Sequence, residues 1–446
     1  MHTLSTLLPG HPAVAARATY VLDWLCAHPY AGGRLRWLRV ADAHAADLDA
    51  RALTSRTSWL ASRVRAPAFA AALAEAPAVR VRHDREWVYG VGPRRQPDLL
   101  SGGRYAFDWI ATLFAWLSRG EEQARPAHSL APPPARRAWL VRHGLEREPR
   151  ADRLAAALLS AWGIPPLIET STVRLTHDLD HVRLWQRPWT PLRYAAYAAK
   201  RGAGGRAYAR AARDVYRWWQ RTARDPYDNP DQTLRSRGGT LYLLLGRHAR
   251  QDGGADKTDV RLRGWIDAAR DRGYDLGLHP SYTTPDRPSR LHEEVDRFVR
   301  LTGARPRQTR QHFLRWDWSR TPRQLASAGL TVDSTLGYRD RLGFRCGTSF
   351  PYALYDFDRE AAGPLREWPL AAMDTAWMEV SGYDPRRCAA DWADFAARNR
   401  LGAALVLDVH NSTFYHARLA GIDLEAWYRY ARDRPVAPSL RAHRTP

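Results

Sequence analysis

The chain has 446 residues, 45 % of them hydrophobic, with 19 Trp and 19 Tyr; this composition supports a sizeable core and excludes a disordered or low-complexity chain. Its formal charge is +21, yet 68 basic residues include only two lysines, Lys200 and Lys257, and the arginines are spread over the whole length among many alanines. That spread fits a GC-rich coding bias better than the clustered stripes of a nucleic-acid binder, so no nucleic-acid partner is expected, while an acidic glycan would be electrostatically welcome.

The length exceeds what one hydrophobic core usually serves, so two domains are expected. Cys26, Cys346 and Cys388 are odd in number and widely spaced, which is neither a disulfide framework nor a zinc-finger pattern and suggests a reducing compartment. The opening MHTLSTLLPGHPAVAARATYVLDWL lacks a basic start followed by an unbroken apolar run, because Pro9 and Pro12 interrupt it. No window reaches the ~18–20 apolar residues of a membrane span. The expectation is a cytoplasmic protein without a membrane span.

Val79–His83 and Trp87–Val91 have the short, β-rich look of strands. Phe107–Arg119 (FDWIATLFAWLSR) places apolar residues at helical spacing, Pro132–Pro134 marks a loop, and Leu154–Trp162 is helical until Gly163–Pro166 stops it. The expected domain boundary lies there: residues 1–170 as a smaller mixed α/β accessory domain, 171–446 as the catalytic part. From 171 onward short apolar runs alternate with helical patterns. Strands are expected at Val173–Leu175, Thr240–Leu245, Tyr274–Leu278, near 308–313, around Glu367–Leu370 and at Ala403–Val409. Helices are expected at Arg206–Arg221, Arg261–Arg272, Glu293–Leu301, Pro322–Ala328 and Cys388–Arg398, with a polar loop at Gln251–Asp259. This alternation means α/β architecture with a parallel sheet or barrel, whose chemistry collects at the C-terminal strand ends.

Four polar clusters sit at such ends: THDLDH (176–181), HPSY (279–282), RQH (310–312) and DVHNS (408–412). Buried without partners, the carboxylates and imidazoles of THDLDH would be costly, and a cation accepting nitrogen and oxygen ligands is a natural partner. In an extended chain Asp178 and Asp180 face one way, and His177, Leu179 and His181 the other. One aspartate can then bind metal while the other takes a proton from water. Tyr282 could donate to an oxyanion, Asn411 could bind sugar hydroxyls, and Trp316 could stack on a sugar ring. Asp374, near the end of the later strand, could support the centre.

In order, THDLDH, GLHPSY, RQHFLR, DSTLGYRDRLGFRCGT, EWPL and LDVHNSTF resemble the polysaccharide deacetylase family, the NodB-homology carbohydrate esterases, over about 171–430. The closest likeness is to a branch with a DxD first motif, an HPSY second motif and a preceding domain like SGGRYAFDWIATLFAWLSRGEE. The resemblance implies an irregular (β/α)7 barrel and metal-dependent hydrolysis of an acetyl group from an N-acetylated sugar or polysaccharide, in surface-polysaccharide metabolism, with Zn²⁺ as the expected ion. It casts Asp178 as catalytic base, Arg310 as the arginine that orients it, and His410 as the acid that protonates the departing amine. Asp180 and His279 become metal ligands. The family's second motif usually reads HxxxH, but Thr283 stands at the fifth position here and cannot replace imidazole. A third ligand must come from elsewhere: His312 first, beside Arg310 at a neighbouring strand end, then His181 and His177. The alternative is a non-catalytic glycan-binding relative, to which the missing histidine points.

Overall fold

The computed structural model describes residues 2–6, 12–39, 100–101, 104–105, 109–123, 135–161, 163–185, 190–199, 204–220, 222, 224–236, 238–246, 249–252 and 258–436. The strands expected at Val79–His83 and Trp87–Val91 and the loop at Pro132–Pro134 lie outside the described residues. The chain divides into two compact units: 1–128, 136–169 and 344–366 in the first, 129–135, 170–343 and 367–446 in the second.

The first unit contains a parallel strand pair, His2–Thr6 with Leu35–Arg39, and helices Pro12–Ala27, Trp109–Ser118 and Arg150–Ala161. Val21, Leu22, Leu25, Leu113, Phe114, Leu117, Leu154 and Leu158 are fully buried; the spacing is legible in the sequence for the second and third of these helices, and not for the first. Two polar knots are buried with them. Glu122 accepts from Arg119 (2.5 Å) and from both Nε and Nη2 of Arg345 (2.9 and 2.6 Å). Asp152 accepts from Thr348 Oγ1 and from Ser349 N and Oγ, and lies 3.2 Å from His28 Nε2.

The second unit is α/β. Its strands are β1 (Thr172–Leu179), β2 (Thr240–Leu243), β3 (Asp275–Leu278), β4 (Gln308–Thr309), β5 (Val332–Asp333), β6 (Leu370–Met373) and β7 (Ala404–Asp408). All neighbours pair in parallel, in the order β5-β4-β3-β2-β1-β7-β6. Every residue of β2, β6 and β7 is buried, which is why these strands read as unbroken apolar runs. At the end of β5, Trp368 N donates to Asp333 O (2.7 Å), and Ser334 Oγ donates to Trp368 O (2.8 Å).

Helices α1 (Thr190–Ala198), α2 (Gly204–Trp219), α3 (Asp259–Asp271), α4 (Pro288–Thr302), α5 (Thr321–Ser327), α6 (Asp374–Val380), α7 (Pro385–Arg398), α8 (Thr413–Ala420) and α9 (Glu425–Arg432) fill the connections. Helix α4 shows the grammar well. Proline begins it, Leu291, Val295 and Phe298 form its buried stripe, and Gly303 at φ 74° ends it. At the N-terminal end of the sheet, buried Arg174 donates to Asp275 Oδ2 (2.6 Å), Thr240 Oγ1 (2.8 Å) and Gly239 O (3.0 Å), locking β1, β2 and β3 together.

Three expectations need correction. The first strand runs to Leu179, so His177 and Asp178 belong to the ladder and do not follow it. The strand expected over 308–313 stops at Thr309, because the Arg310 carbonyl accepts from His279 Nδ1, and the chain then turns through a 3₁₀ segment, His312–Leu314. The late strand begins at Leu370, while Glu367 ends a different one, Ala361–Glu367.

A candidate metal and acid–base centre

Strand register brings the polar clusters together. Leu179, Leu243, Leu278, Thr309 and Asp333 form one line across β1 to β5. One residue beyond that line lie Asp180, His279, Arg310 and Ser334. On the other side of β1, Thr176 pairs with Asp408, so His410 falls level with Asp178. Residues far apart in sequence thus share one end of the sheet.

Asp180, His279 and His312 offer ligand atoms within 4.8 Å of one another. His279 Nε2 is 3.3 Å and His312 Nε2 3.6 Å from Asp180 Oδ1. The remaining ring nitrogens are held from behind: His279 Nδ1 lies 2.5 Å from the Arg310 carbonyl, and His312 Nδ1 lies 3.2 Å from Asp252 Oδ1. Both anchors are acceptors, so each Nδ1 carries the proton and, in the neutral ring, each Nε2 presents a bare lone pair. Those two lone pairs meet Asp180 Oδ1, which is buried and has no hydrogen-bond partner. Three acceptors converging without a hydrogen between them suit a cation. The set of two imidazoles and one carboxylate fits Zn²⁺ with a position left over.

Beside this trio runs a chain of charge. Fully buried Arg310 donates from Nη1 to Asp178 Oδ1 (2.9 Å) and Asp408 Oδ1 (2.7 Å), from Nε to Ser334 O (3.0 Å) and from Nη2 to Ser334 Oγ (3.1 Å). Its guanidinium lies 4.6 Å from the centre of the Tyr242 ring, which can occupy that place because residue 277 is glycine. A Cβ on Gly277 would sit 2.4 Å from the Tyr242 ring. With Oδ1 of Asp178 engaged, its Oδ2 faces His279 Nε2 (3.6 Å) and His410 Nε2 (3.9 Å). His410 is fixed by Asp374, whose Oδ1 is 2.8 Å from Nδ1 and whose Oδ2 accepts from the His410 backbone N–H (2.6 Å). Access comes at Asp180 and His410, whose side chains are 16 % and 11 % exposed, while Asp178 and Arg310 are sealed behind them.

The electrostatics follow from these contacts. Burial opposes charge on Asp178, but Arg310, His279 and His410 outweigh it and hold the carboxyl below its usual range. Burial is likewise overcome at Asp180 when the imidazoles of His312, His279 and His410 carry a second proton. The His410 imidazole resists burial because Asp374 and Asp408 face it, and its pKa rises well above the usual value. Burial and the neighbouring Asp178 push Asp408 up to about 7. His177 lies on the opposite face of β1, its Nδ1 2.8 Å from Val409 O, and burial lowers it to about 4.

No protein-family model and no curated protein matches the chain. Among solved structures it is similar to a Mycobacterium smegmatis protein named as a polysaccharide deacetylase, at 16 % identity and a TM-score of 0.32, covering 60 % of this chain and 93 % of that one. It is also similar to a structure named T48 deacetylase with substrate, at 11 % identity and a TM-score of 0.26, covering 58 % of this chain and 85 % of that one. Likenesses at these identities and TM-scores carry no functional argument, which rests on the residues themselves.

Of the residues singled out in the sequence, Asp178, Asp180, His279, Arg310, His312 and His410 come together, and His177 does not. Tyr282 is half-buried, with the Arg315 guanidinium 4.0 Å from its ring centre and Phe313 edge-on at 5.6 Å. Two expectations of substrate contact are corrected. Trp316 is 5 % exposed and packs edge-on to Trp318, so it offers no open face for a sugar. Asn411 is 1 % exposed, and its amide donates to His181 O (2.7 Å) and Tyr227 O (2.9 Å), so both its hydrogens serve the backbone. Asp252 was missed: nothing within the polar loop Gln251–Asp259 marks it as the partner of His312. Asp408 was seen within its motif without a role, although an acid at the end of the apolar run ALVLD could have signalled a buried counter-charge.

Proposed function

We propose that this chain is a metal-dependent hydrolase of the polysaccharide deacetylase kind, on an irregular (β/α)7 barrel, which removes an acetyl group from an N-acetylated sugar or polysaccharide. One observation carries the reading: an acceptor trio suited to a cation (Asp180, His279, His312) lies against a buried, oriented carboxylate (Asp178) and an imidazole (His410) that Asp374 orients. Asp180, His279 and His312 would hold the ion. When bound, a divalent ion such as Zn²⁺ supplies Lewis acidity at neutral pH.

The chain's own residues then divide the proton work. Arg310 fixes Asp178 through one oxygen and leaves the other to take a proton from the attacking water. His410, held by Asp374 in one tautomer and orientation, gives a proton to the amide nitrogen as its bond to the acetyl carbon breaks, because an amine anion is a poor leaving group. Acetate and the free amino sugar result. A glycan-binding protein without chemistry would give the buried Arg310–Asp178–Asp408 chain no use.

The test is acetate release from N-acetylglucosamine oligomers, with zinc content measured alongside, for the wild type, Asp178→Asn and His279→Ala. Asp178→Asn is expected to keep zinc and lose turnover, and His279→Ala to lose both. Equal turnover in all three removes the assigned roles.

A further inference from the structure

Helix α2 carries an outward face that the candidate centre does not use. Its inner face is settled: Ala207 and Ala211 are fully buried, and Val215 and Trp218 pack with them against Leu184, Trp185, Ala195, Tyr227, Tyr415 and Leu419. The opposite face presents two stripes. Tyr208, Ala212, Tyr216 and Trp219 follow one another at spacings of four, four and three, with the three aromatic side chains 43 %, 56 % and 75 % exposed. Arg206, Arg213 and Arg217 form a second exposed stripe immediately beside the first, and none of the three is in an ion pair among the described residues. The only acid on the helix, Asp214, is turned inward and paired with Arg418 (2.6 Å). Three large aromatics left in water beside three unpaired arginines are costly unless another surface receives them.

We propose that this face of α2 docks on the surface of an anionic lipid bilayer. Charge complementarity chooses the surface: the stripe holds three arginines and no exposed acid of its own helix, on a chain of net charge +21, and only Arg217 at its end also borders a cavity with acids, among them Asp225 and Asp228. The aromatic types choose it over other polyanions. Trp and Tyr are the side chains that settle at headgroup depth, and a helix with one aromatic and one arginine stripe lies in the interface plane. A single-stranded nucleic acid asks instead for a basic groove that tracks its backbone, whereas these residues stand on the convex surface of one helix. This is peripheral attachment: among the described residues no helix is long and apolar enough to cross a membrane. The proposal does not rest on the metal or acid–base reading.

The experiment is co-sedimentation of the full chain with vesicles of one part phosphatidylglycerol to two parts phosphatidylcholine, against pure phosphatidylcholine vesicles. The wild type is expected to bind the first and not the second. Each arginine converted to glutamine (Arg206→Gln, Arg213→Gln, Arg217→Gln) is expected to weaken partitioning about fivefold, and Trp219→Ala about tenfold. A control removes the same single charge from exposed arginines elsewhere, one at a time: Arg263→Gln, Arg300→Gln or Arg305→Gln. Equal loss in the control overturns the proposal, because net charge alone would then explain binding. Equal binding to both vesicle types, or vesicle binding untouched by the α2 variants, overturns it too. If the α2 changes instead abolish binding to a single-stranded RNA homopolymer while vesicles are ignored, nucleic acid replaces lipid as the partner. Circular dichroism of each variant shows whether a loss reflects unfolding; for any unfolded variant, Tyr216→Ser is the replacement and is expected to weaken vesicle binding in the same direction.

Discussion

Asp252→Asn tests the arrangement of the candidate metal centre without touching a proposed ligand. Asp252 uses one oxygen, Oδ1, for the Tyr282 backbone N–H (2.8 Å) and for His312 Nδ1 (3.2 Å), and the other, Oδ2, for the Ala249 backbone N–H (2.9 Å). Asparagine has one acceptor where aspartate has two. If its oxygen stays with Tyr282 and His312, its amide faces the Ala249 N–H donor to donor. If it flips, the amide faces both Tyr282 and the protonated Nδ1 of His312. Each choice leaves at least one donor unpaired: the part-buried Ala249 N–H in the first, and in the second the buried His312 Nδ1–H as well as the Tyr282 N–H, at up to about 1–3 kcal/mol for a buried donor. The flipped form also frees the His312 ring to rotate or change tautomer. Losing the group that orients a ligating histidine weakens metal affinity about 10–100-fold, and the hydrogen-bond arithmetic spans the same range. Competition titration of zinc against a chromophoric chelator at pH 7 reads the affinity directly, and thermal melting of the apo protein reads stability. The expected result is weaker zinc binding in Asp252→Asn and a larger loss in His312→Ala. A lower melting temperature with unchanged zinc affinity would make Asp252 a loop clasp only, and unchanged affinity in His312→Ala would remove His312 from the centre.

Three further outcomes follow from specific contacts. Asp374→Asn keeps the outline of the side chain but has one acceptor for the two donors of His410, and it loses the charge that raises the imidazole pKa. Turnover should fall about 10²–10⁴-fold, the worth of a positioned general acid, with little change in KM or zinc content. Gly277→Ala drives a methyl into the Tyr242 ring beneath Arg310, and overpacking of this kind costs about 1–3 kcal/mol in denaturant unfolding. Its activity should fall further than its stability, as Arg310 is displaced from Asp178. In the first unit, Glu122→Gln removes the buried carboxylate that Arg119 and Arg345 share, leaving Glu121 on Arg119, and should destabilise the protein by about 3 kcal/mol at pH 7. Burial opposes charge on Glu122, but the two arginines outweigh it and hold its pKa below the ordinary 4.5. The ion-pair contribution is therefore complete above about 4.5 and is lost as pH falls through the lower folded value. The gap between wild type and variant should close only in strong acid; a gap that closes between pH 8 and 6 contradicts the assignment.

The elements most legible in the sequence were those whose signal is local. Helix α4 was legible over Glu293–Leu301 from its apolar rhythm, although its first turn at Pro288 was not, and strands β2 and β7 were legible as apolar runs too short for a helix. The connections carrying Arg310 and His312 were harder. RQHFLRW alternates enough to read as a strand, yet Phe313 and Leu314 adopt positive φ (60° and 50°) because long-range bonds hold the segment: Arg310 to Ser334 and Asp178, and His312 N–H to Pro280 O. Local propensity cannot report a conformation that distant partners impose.

The same distinction decides which parts of the centre could be read in advance. Asp178, Asp180, His279, Arg310 and His410 stand in motifs because each must occupy one strand end, and strand ends can be counted along a sequence. Asp252 answers to no such count. It reaches His312 from a polar loop 60 residues earlier, and any acid in a loop there reads as solvated. Trp316 erred the other way: an aromatic next to a functional arginine suggests a sugar platform, but the ring is buried, edge-on to Trp318, and only 5 % exposed. A side chain's type and spacing can nominate it for chemistry. Whether it is free to act depends on which of its atoms the fold has already engaged or sealed: Asn411 is 1 % exposed with both amide hydrogens on carbonyls, so its remaining oxygen is out of a sugar's reach, whereas Asp180 keeps an unpartnered oxygen facing two imidazoles on a side chain that is 16 % exposed.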